Sequence, residues 1–240
     1  MKITTGIALA ASVALSPAVT AEIVDLAWTG NSQYSIVNWG YDASLNWDGG
    51  MIADQGPGKL GLYEFNGGAQ EGYCWDLDAP VSQASTPYEI VEFSALDSEL
   101  QARFTFLASL YDQWYEDVKE VGATDYNLGA AMGTALALLT NEIMEENYDF
   151  VPGTWILEDV QLQSSTSMGA VQFSSLSPEA EFFYGEMLMS LDFGTQAMID
   201  GLVIYESEDG FQSFVGYVPA PSAMALLGLA GLAGRRRRND

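Results

Sequence analysis

The apolar period of this chain changes twice, and that change limits the folds open to it. From residue 22 to about residue 93 the apolar positions come in short runs: Glu22 to Trp28, Gln33 to Trp39, Lys59 to Phe65, Gly72 to Leu77 and Tyr88 to Phe93. These runs are rich in aromatic and β-branched residues and are separated by Asn, Asp and Gly, a pattern that predicts antiparallel strands. From Asp97 the period lengthens. Leu96, Leu100, Phe104, Leu107, Tyr111 and Trp114 recur every three or four residues and predict one face of a helix over Asp97 to Val121. A second helix is expected from Leu128 to Asn147, with Asn127 as its cap, Asp125 nearby, and Met132, Ala135, Leu136, Leu139 and Ile143 on its buried face. Gly129 and Gly133 lower its propensity and permit close approach to the first helix. Beyond Pro152-Gly153 strands return, at Thr154 to Leu162 and Ala170 to Phe173. Ser177-Pro178-Glu179-Ala180-Glu181 then announces a third helix, with Ser at the cap, Pro at the first position and acids in the first turn. Leu202 to Tyr205 and Phe211 to Tyr217 are the last strands, flanking the turn at Glu206 to Gly210. The expected fold class is α+β: an antiparallel β-rich domain with an inserted antiparallel helix pair and a third helix before the last strands.

The residue types exclude several chemistries. With no His and a single Cys, Cys74, the chain has no imidazole for a nucleophile pair or a metal ligand, and no intramolecular disulfide or cysteine-cluster zinc site. Hydrophobic residues make up 48% of the chain, which is enough for a sizeable core and places the acidity in a folded protein. Between Glu22 and Val218 there are 32 acidic residues against Lys59, Arg103 and Lys119, a formal charge of −29. Such a surface repels phosphate backbones, so no nucleic-acid partner is expected.

The remaining bases sit at the two ends. Met1-Lys2, the apolar run Ile7 to Leu15 and the small-residue stretch Ala18-Val19-Thr20-Ala21 form the pattern of a secretory signal peptide, residues 1–21, cleaved after Ala21. At the other end Pro219-Ala220-Pro221-Ser222 precedes an apolar run from Ala223 to Gly234 and then Arg235, Arg236, Arg237 and Arg238. The apolar run has 12 residues, short of the roughly 20 that cross a bilayer comfortably, and snorkelling arginines extend its reach. The arginines are expected to hold that end in the cytoplasm with the acidic domain outside.

This tripartite end, residues 218–240, resembles the PEP-CTERM sorting signal of Gram-negative bacteria, with Ala220 where the family usually has Glu. The resemblance implies processing near Pro219 and Pro221 by an exosortase, transient residence in the inner membrane as a tethered precursor, and release to the cell surface or the extracellular space. It also implies an association with extracellular polysaccharide and biofilm matrix.

A second resemblance covers most of residues 22–217. Gly72-Tyr73-Cys74-Trp75-Asp76-Leu77 is similar to the Cys-bearing strand of bacterial thioester domains. Leu110-Tyr111 and Thr134 to Ile143 resemble the helical insert that carries that family's Gln motif, and Leu202 to Tyr205 with Gly210 to Val215 resemble its last strands. The family condenses a Cys thiol with a Gln carboxamide into an internal thioester that a partner's amine can open. Cys74 stands at the thiol position. Aligned on Glu142-Ile143, Ala137 replaces the Gln and Asn141 the Trp, so a carboxamide would have to come from Gln83, Gln113, Gln161 or Gln163. Without one, Cys74 is expected to be a buried small hydrophobe on a strand.

The carboxylates allow further readings. Asp76 and Asp78 alternate along an expected strand, and Glu145-Glu146 with Asp149 close the second helix, so a paired-carboxylate glycosidase is open in principle. So many acids produce pairs by chance, and a solvated surface is the expectation. Asp42, Asp48 and Asp54 lie in a Gly-rich loop with Asn46 but miss the EF-hand spacing, so Ca²⁺ is expected to bind loosely, without a dedicated metal site or any other cofactor. The six Trp and 12 Tyr could supply a sugar-stacking surface. The sequence reads as an exported surface or matrix protein acting as a non-catalytic binding or structural module. A covalent adhesin using Cys74 is the first alternative, and a carboxylate-based matrix glycosidase the second.

Overall fold

The computed structural model of the chain describes residues 22–46, 52, 55–77, 79–150 and 153–218. Eight strands form one antiparallel sheet: β1 (Glu22–Leu26), β2 (Trp28–Tyr41), β3 (Gly56–Phe65), β4 (Gln70–Cys74), β5 (Thr86–Val91), β6 (Val171–Ser174), β7 (Leu202–Ser207) and β8 (Phe214–Tyr217). Their order across the sheet is β1-β5-β7-β8-β4-β3-β2-β6. Ala27 alone separates β1 from β2, yet these strands are first and seventh in that order. One residue spans less than about 4 Å, so the sheet must roll until its first and seventh strands meet at a corner. Asn66 clamps the corner: its side chain accepts from the Ala27 N–H at 3.1 Å and donates to the Asp25 carbonyl at 2.9 Å.

Rolling creates two cores. Inside the roll Leu26, Tyr63, Phe65, Cys74, Tyr88, Tyr205 and Phe214 pack around the Phe214 ring, which lies 4.6 Å from Phe65 edge-on and 5.1 Å from Tyr63. Outside it, α1 (Ser98–Thr124) and α2 (Tyr126–Glu145) form the expected antiparallel pair and bury the larger core of Phe104, Leu107, Tyr111, Leu136 and Leu139 against Val37, Leu62, Tyr73 and Val215. The alternation of side chains along β4 therefore sends Tyr73 to the helices and Cys74 to the interior of the roll. Helices α3 (Leu157–Gln163), α4 (Pro178–Ser190) and the short α5 (Gln196–Ile199) complete the α+β fold.

The helix pair starts where side chains can satisfy free backbone N–H groups. Asp97 accepts from Glu99 and Leu100 to start α1, and Asp125 accepts from Leu128 to start α2. The cap of α2 is thus Asp125 rather than Asn127. The α1–α2 contact has a third participant. Bulges interrupt β2 between Trp28 and Gly30 and between Ser32 and Tyr34, and Gln33 takes a positive φ of 46° at the second. This turns Gln33 out of the strand and into a notch formed by Gly122, Gly129 and Gly133, where any Cβ would collide with it. The glycines therefore admit a strand residue as well as bringing the helices together.

Other expectations need correction. Thr154 to Leu162 is not a strand: residues 157–163 form α3, with Glu158 and Asp159 in its first turn and Val160 buried. The β-branched Ile156 and Val160 mimic a strand, but Gln161 donates to the Leu188 carbonyl at 3.1 Å and holds this helical turn against α4. β4 ends at Cys74, so Asp76 lies beyond the strand, and Asp78 is outside the described residues. The last strand begins at Phe214, not Phe211. Among the described residues no helix is long and apolar enough to cross a membrane. Residues 1–21, with Ala21, and the sorting-signal residues Pro219, Pro221 and Arg235 to Arg238 all lie outside the described residues.

Candidate functional site

The C-terminal end of α2 is where unlike side chains converge. Its last carbonyls need donors, and the only Arg between the two terminal segments supplies them. Arg103 projects from α1, 7% exposed, and its Nη1 donates to the carbonyls of Ile143 at 2.7 Å, Met144 at 2.9 Å and Glu146 at 3.1 Å. Nη2 donates to Glu99 Oε1 at 2.8 Å and to the Glu146 carbonyl at 3.1 Å. The guanidinium lies 5.0 Å from the Trp155 ring centre and 5.7 Å from that of Tyr148. Phe150 stacks on Tyr148 at 5.1 Å and 13°, while Trp155 stands edge-on to both.

A cleft of about 360 Å³ opens over these groups, lined by Asn46, Glu99, Arg103, Asn147, Tyr148, Phe150 and Trp155. Asn147 donates to the carbonyls of Ala43 at 2.6 Å and Leu45 at 2.9 Å, which fixes the loop carrying Asn46. In that loop Asp42 accepts from the Ser44 hydroxyl and N–H, and these bonds lower its pKa. Asp48 and Asp54 are outside the described residues, among which no group of three acidic or Cys side chains is placed to hold a metal. Glu99, paired with Arg103, is the one carboxylate of the lining among the described residues. Half-buried rings beside amides suit the stacking and hydrogen bonding of a sugar-like ligand, whereas two-carboxylate hydrolysis needs an opposed second acid.

A broader cleft of about 520 Å³ lies at the other end of α2, where Tyr34 and Ser35 of β2 face Asp125 to Leu128 and the start of α4 at Ser177 and Glu179. Two rings line it, Tyr34 and Tyr126, and Asp125 and Ser177 are occupied as helix caps.

The two positions that the thioester resemblance would pair lie apart. Cys74 is 2% exposed inside the roll, and its thiol donates to the Asp76 carbonyl at 3.1 Å. Burial pushes its pKa well above the usual thiol range, an inert setting for a nucleophile. Ala137 belongs to the other core, on the helix side of the sheet, and Asn141 donates to its carbonyl at 2.7 Å. The alternative carboxamides are placed elsewhere: Gln113 and Gln161 donate to α4 carbonyls, Gln163 accepts from Asp149 N–H, and Gln83 is exposed. The native protein should therefore resist alkylation, count one thiol after denaturation, and show no mass deficit of ammonia. A deficit, or methylamine uptake, that disappears in Cys74→Ala would reverse this assignment.

Among the carboxylates Asp149 is exposed and Glu145 accepts from the Leu77 N–H at 3.1 Å. Glu146, expected on a solvated surface, is fully buried, and so is Glu142 one turn earlier. Sequence reasoning did not single out Arg103, Glu142, Tyr148 or Trp155. The signal was the helical phase: Glu142 lies three and four residues after Leu139 and Leu138, and Arg103 three after Leu100, both within apolar stripes. Comparison with family models, curated proteins and solved structures finds no match to this chain.

Proposed function

We propose that the chain is an exported cell-surface or extracellular-matrix protein whose domain, residues 22–217, binds extracellular polysaccharide without turning it over. Export and exosortase-type processing rest on the sequence of the two ends, the signal-like residues up to Ala21 and the Pro219 to Arg238 segment. Binding rests on one observation, the cleft in which Tyr148, Phe150 and Trp155 stand beside Asn46 and Asn147. The sealed thiol of Cys74 favours non-covalent attachment over the covalent-adhesin alternative. The density of negative charge favours neutral or amine-bearing glycans over anionic ones.

Two measurements test this reading. An intact mass of the surface-extracted protein should correspond to a chain beginning at or near Glu22, and an intact Met1 would remove the case for export. In sedimentation with insoluble polysaccharides the wild type should be retained. Phe150→Ala should lose about tenfold in affinity, roughly the 1.4 kcal/mol that an aromatic contact supplies. Equal retention of a variant that still melts cooperatively would place binding elsewhere.

A further inference from the structure

Glu142 is 0% exposed, and neither carboxyl oxygen has a hydrogen-bond partner. The backbone N–H of Ser165, just past α3, faces it and favours the anion, but makes no hydrogen bond of regular geometry to either oxygen. From α4, Tyr184, 8% exposed, also buries a hydroxyl without a partner, and Glu142 is the charge that hydroxyl feels most. From the segment after α2, Tyr148 donates to the backbone carbonyl of Glu142 at 3.2 Å and pairs its hydroxyl with Ser164 at 2.9 Å. The carboxylate of Glu146, at the C-cap of α2, is a like charge that raises the Glu142 pKa further. Arg103 of α1, at the end of α2, is spent on backbone carbonyls and Glu99.

The two glutamates are served unequally. Glu146 accepts from Asn147 N–H at 2.8 Å, from Ala170 N–H at 3.1 Å on each oxygen, and from Val171 N–H at 3.5 Å. Gly169, at φ +89°, leaves room for that carboxylate, which any Cβ there would strike. Burial raises the Glu146 pKa, while these N–H groups and Arg103 lower it, so its anion is accommodated. Glu142 has only the Ser165 N–H in compensation, and burial together with the Glu146 charge outweighs it. An ion without partners in a dry interior is costly enough that the group neutralises instead.

We propose that Glu142 is a proton-binding site: the folded domain seals one proton on this carboxyl, and its loss in alkaline surroundings loosens the joint where α2, α4 and β6 meet. In the unfolded chain Glu142 ionises in the ordinary carboxyl range, about pH 4.3. Burial first, then the Glu146 charge, moves the folded pKa well upward. The folded state therefore holds the extra proton above that range. The stability Glu142 contributes is complete below about pH 4 and declines as pH rises toward the folded pKa, by up to tenfold in the unfolding constant per pH unit. The joint carries the β6 edge strand and one wall of the Arg103 cleft through Tyr148.

Infrared spectroscopy of the wild type at neutral pH tests the site directly. The carbonyl stretch of a neutral carboxyl should stand apart from those of the ionised acids and should vanish in Glu142→Gln; its absence from the wild type overturns the proposal. Melting curves of wild type, Glu142→Gln and Glu142→Leu between pH 5 and 9 test the linkage. The wild type should lose stability relative to both variants as pH rises, and the protection of the Ala170 and Val171 amides, after correction for the base-catalysed intrinsic exchange rate, should fall in the wild type alone. Parallel curves across that range would overturn the linkage.

Discussion

Replacing Arg103 by Ala is expected to destabilise the domain by about 4 kcal/mol, the largest effect of any single side-chain truncation outside the apolar cores. Three carbonyls at the end of α2 lose their donor together, each an unsatisfied buried acceptor worth about 1–3 kcal/mol before relaxation. Water entering through the cleft recovers part of that cost. Arg103→Lys should recover less than half, because an ammonium has three donors on one atom and cannot reproduce the planar fork that reaches Glu99 and the carbonyls at once. Chemical denaturation of the three proteins measures the effect. A loss under 1 kcal/mol for Arg103→Ala would mean that the helix end is satisfied by solvent.

The second large effect is expected at the glycine notch. A methyl at Gly133 would meet the backbone carbonyl of Gln33, whose bulge is held by the paired Ser32 and Tyr34 on either side, so Gly133→Ala should cost about 3 kcal/mol with no side-chain remedy. The three atoms nearest a methyl at Gly122 all belong to the carboxamide end of Gln33, which can move. Gly122→Ala should cost about half as much and be rescued by Gln33→Asn, which shortens the side chain and tolerates the positive φ. A double-mutant cycle should give a coupling of about 1 kcal/mol for Gly122 with Gln33 and near zero for Gly133 with Gln33. Equal rescue of both would show that the carbonyl yields as readily as the side chain.

The notch and the cleft show what could be read from the sequence and what could not. The helix pair was legible because Leu100, Phe104, Leu107 and Tyr111 keep one phase for several turns, a signal that depends on no distant residue. The glycines were legible as points of close approach, but their true occupant was not. Gln33 reaches them only because of a β-bulge, which is set by the pairing of β2 with β3. The strand expected over Thr154 to Leu162 failed for the same reason, since a seven-residue helix held by Gln161 against α4 has too few turns to impose a period. The cleft joins residues from positions 46, 99–103 and 147–155, and no local motif links them. Composition marked Arg103 as one of three bases in the domain but could not say that it would cap a helix.

The position of β8 governs when the fold can be completed. This strand is the last of the eight in the chain, yet it is the bridge between β7 and β4, and without it the sheet divides into β1-β5-β7 and β4-β3-β2-β6. A polypeptide threaded through a membrane from its N-terminus can form the helix pair early, from neighbouring residues. It cannot close the roll until Phe214 to Tyr217 have emerged. If the chain is exported in that direction, as proposed, closure would be a vectorial event at the end of transit, drawing the final segment outward and opposing backsliding. Any anchor beyond Val218 would also pull on an interior strand held on both sides, so a shearing load from the tether would be shared across the sheet instead of peeling away an edge.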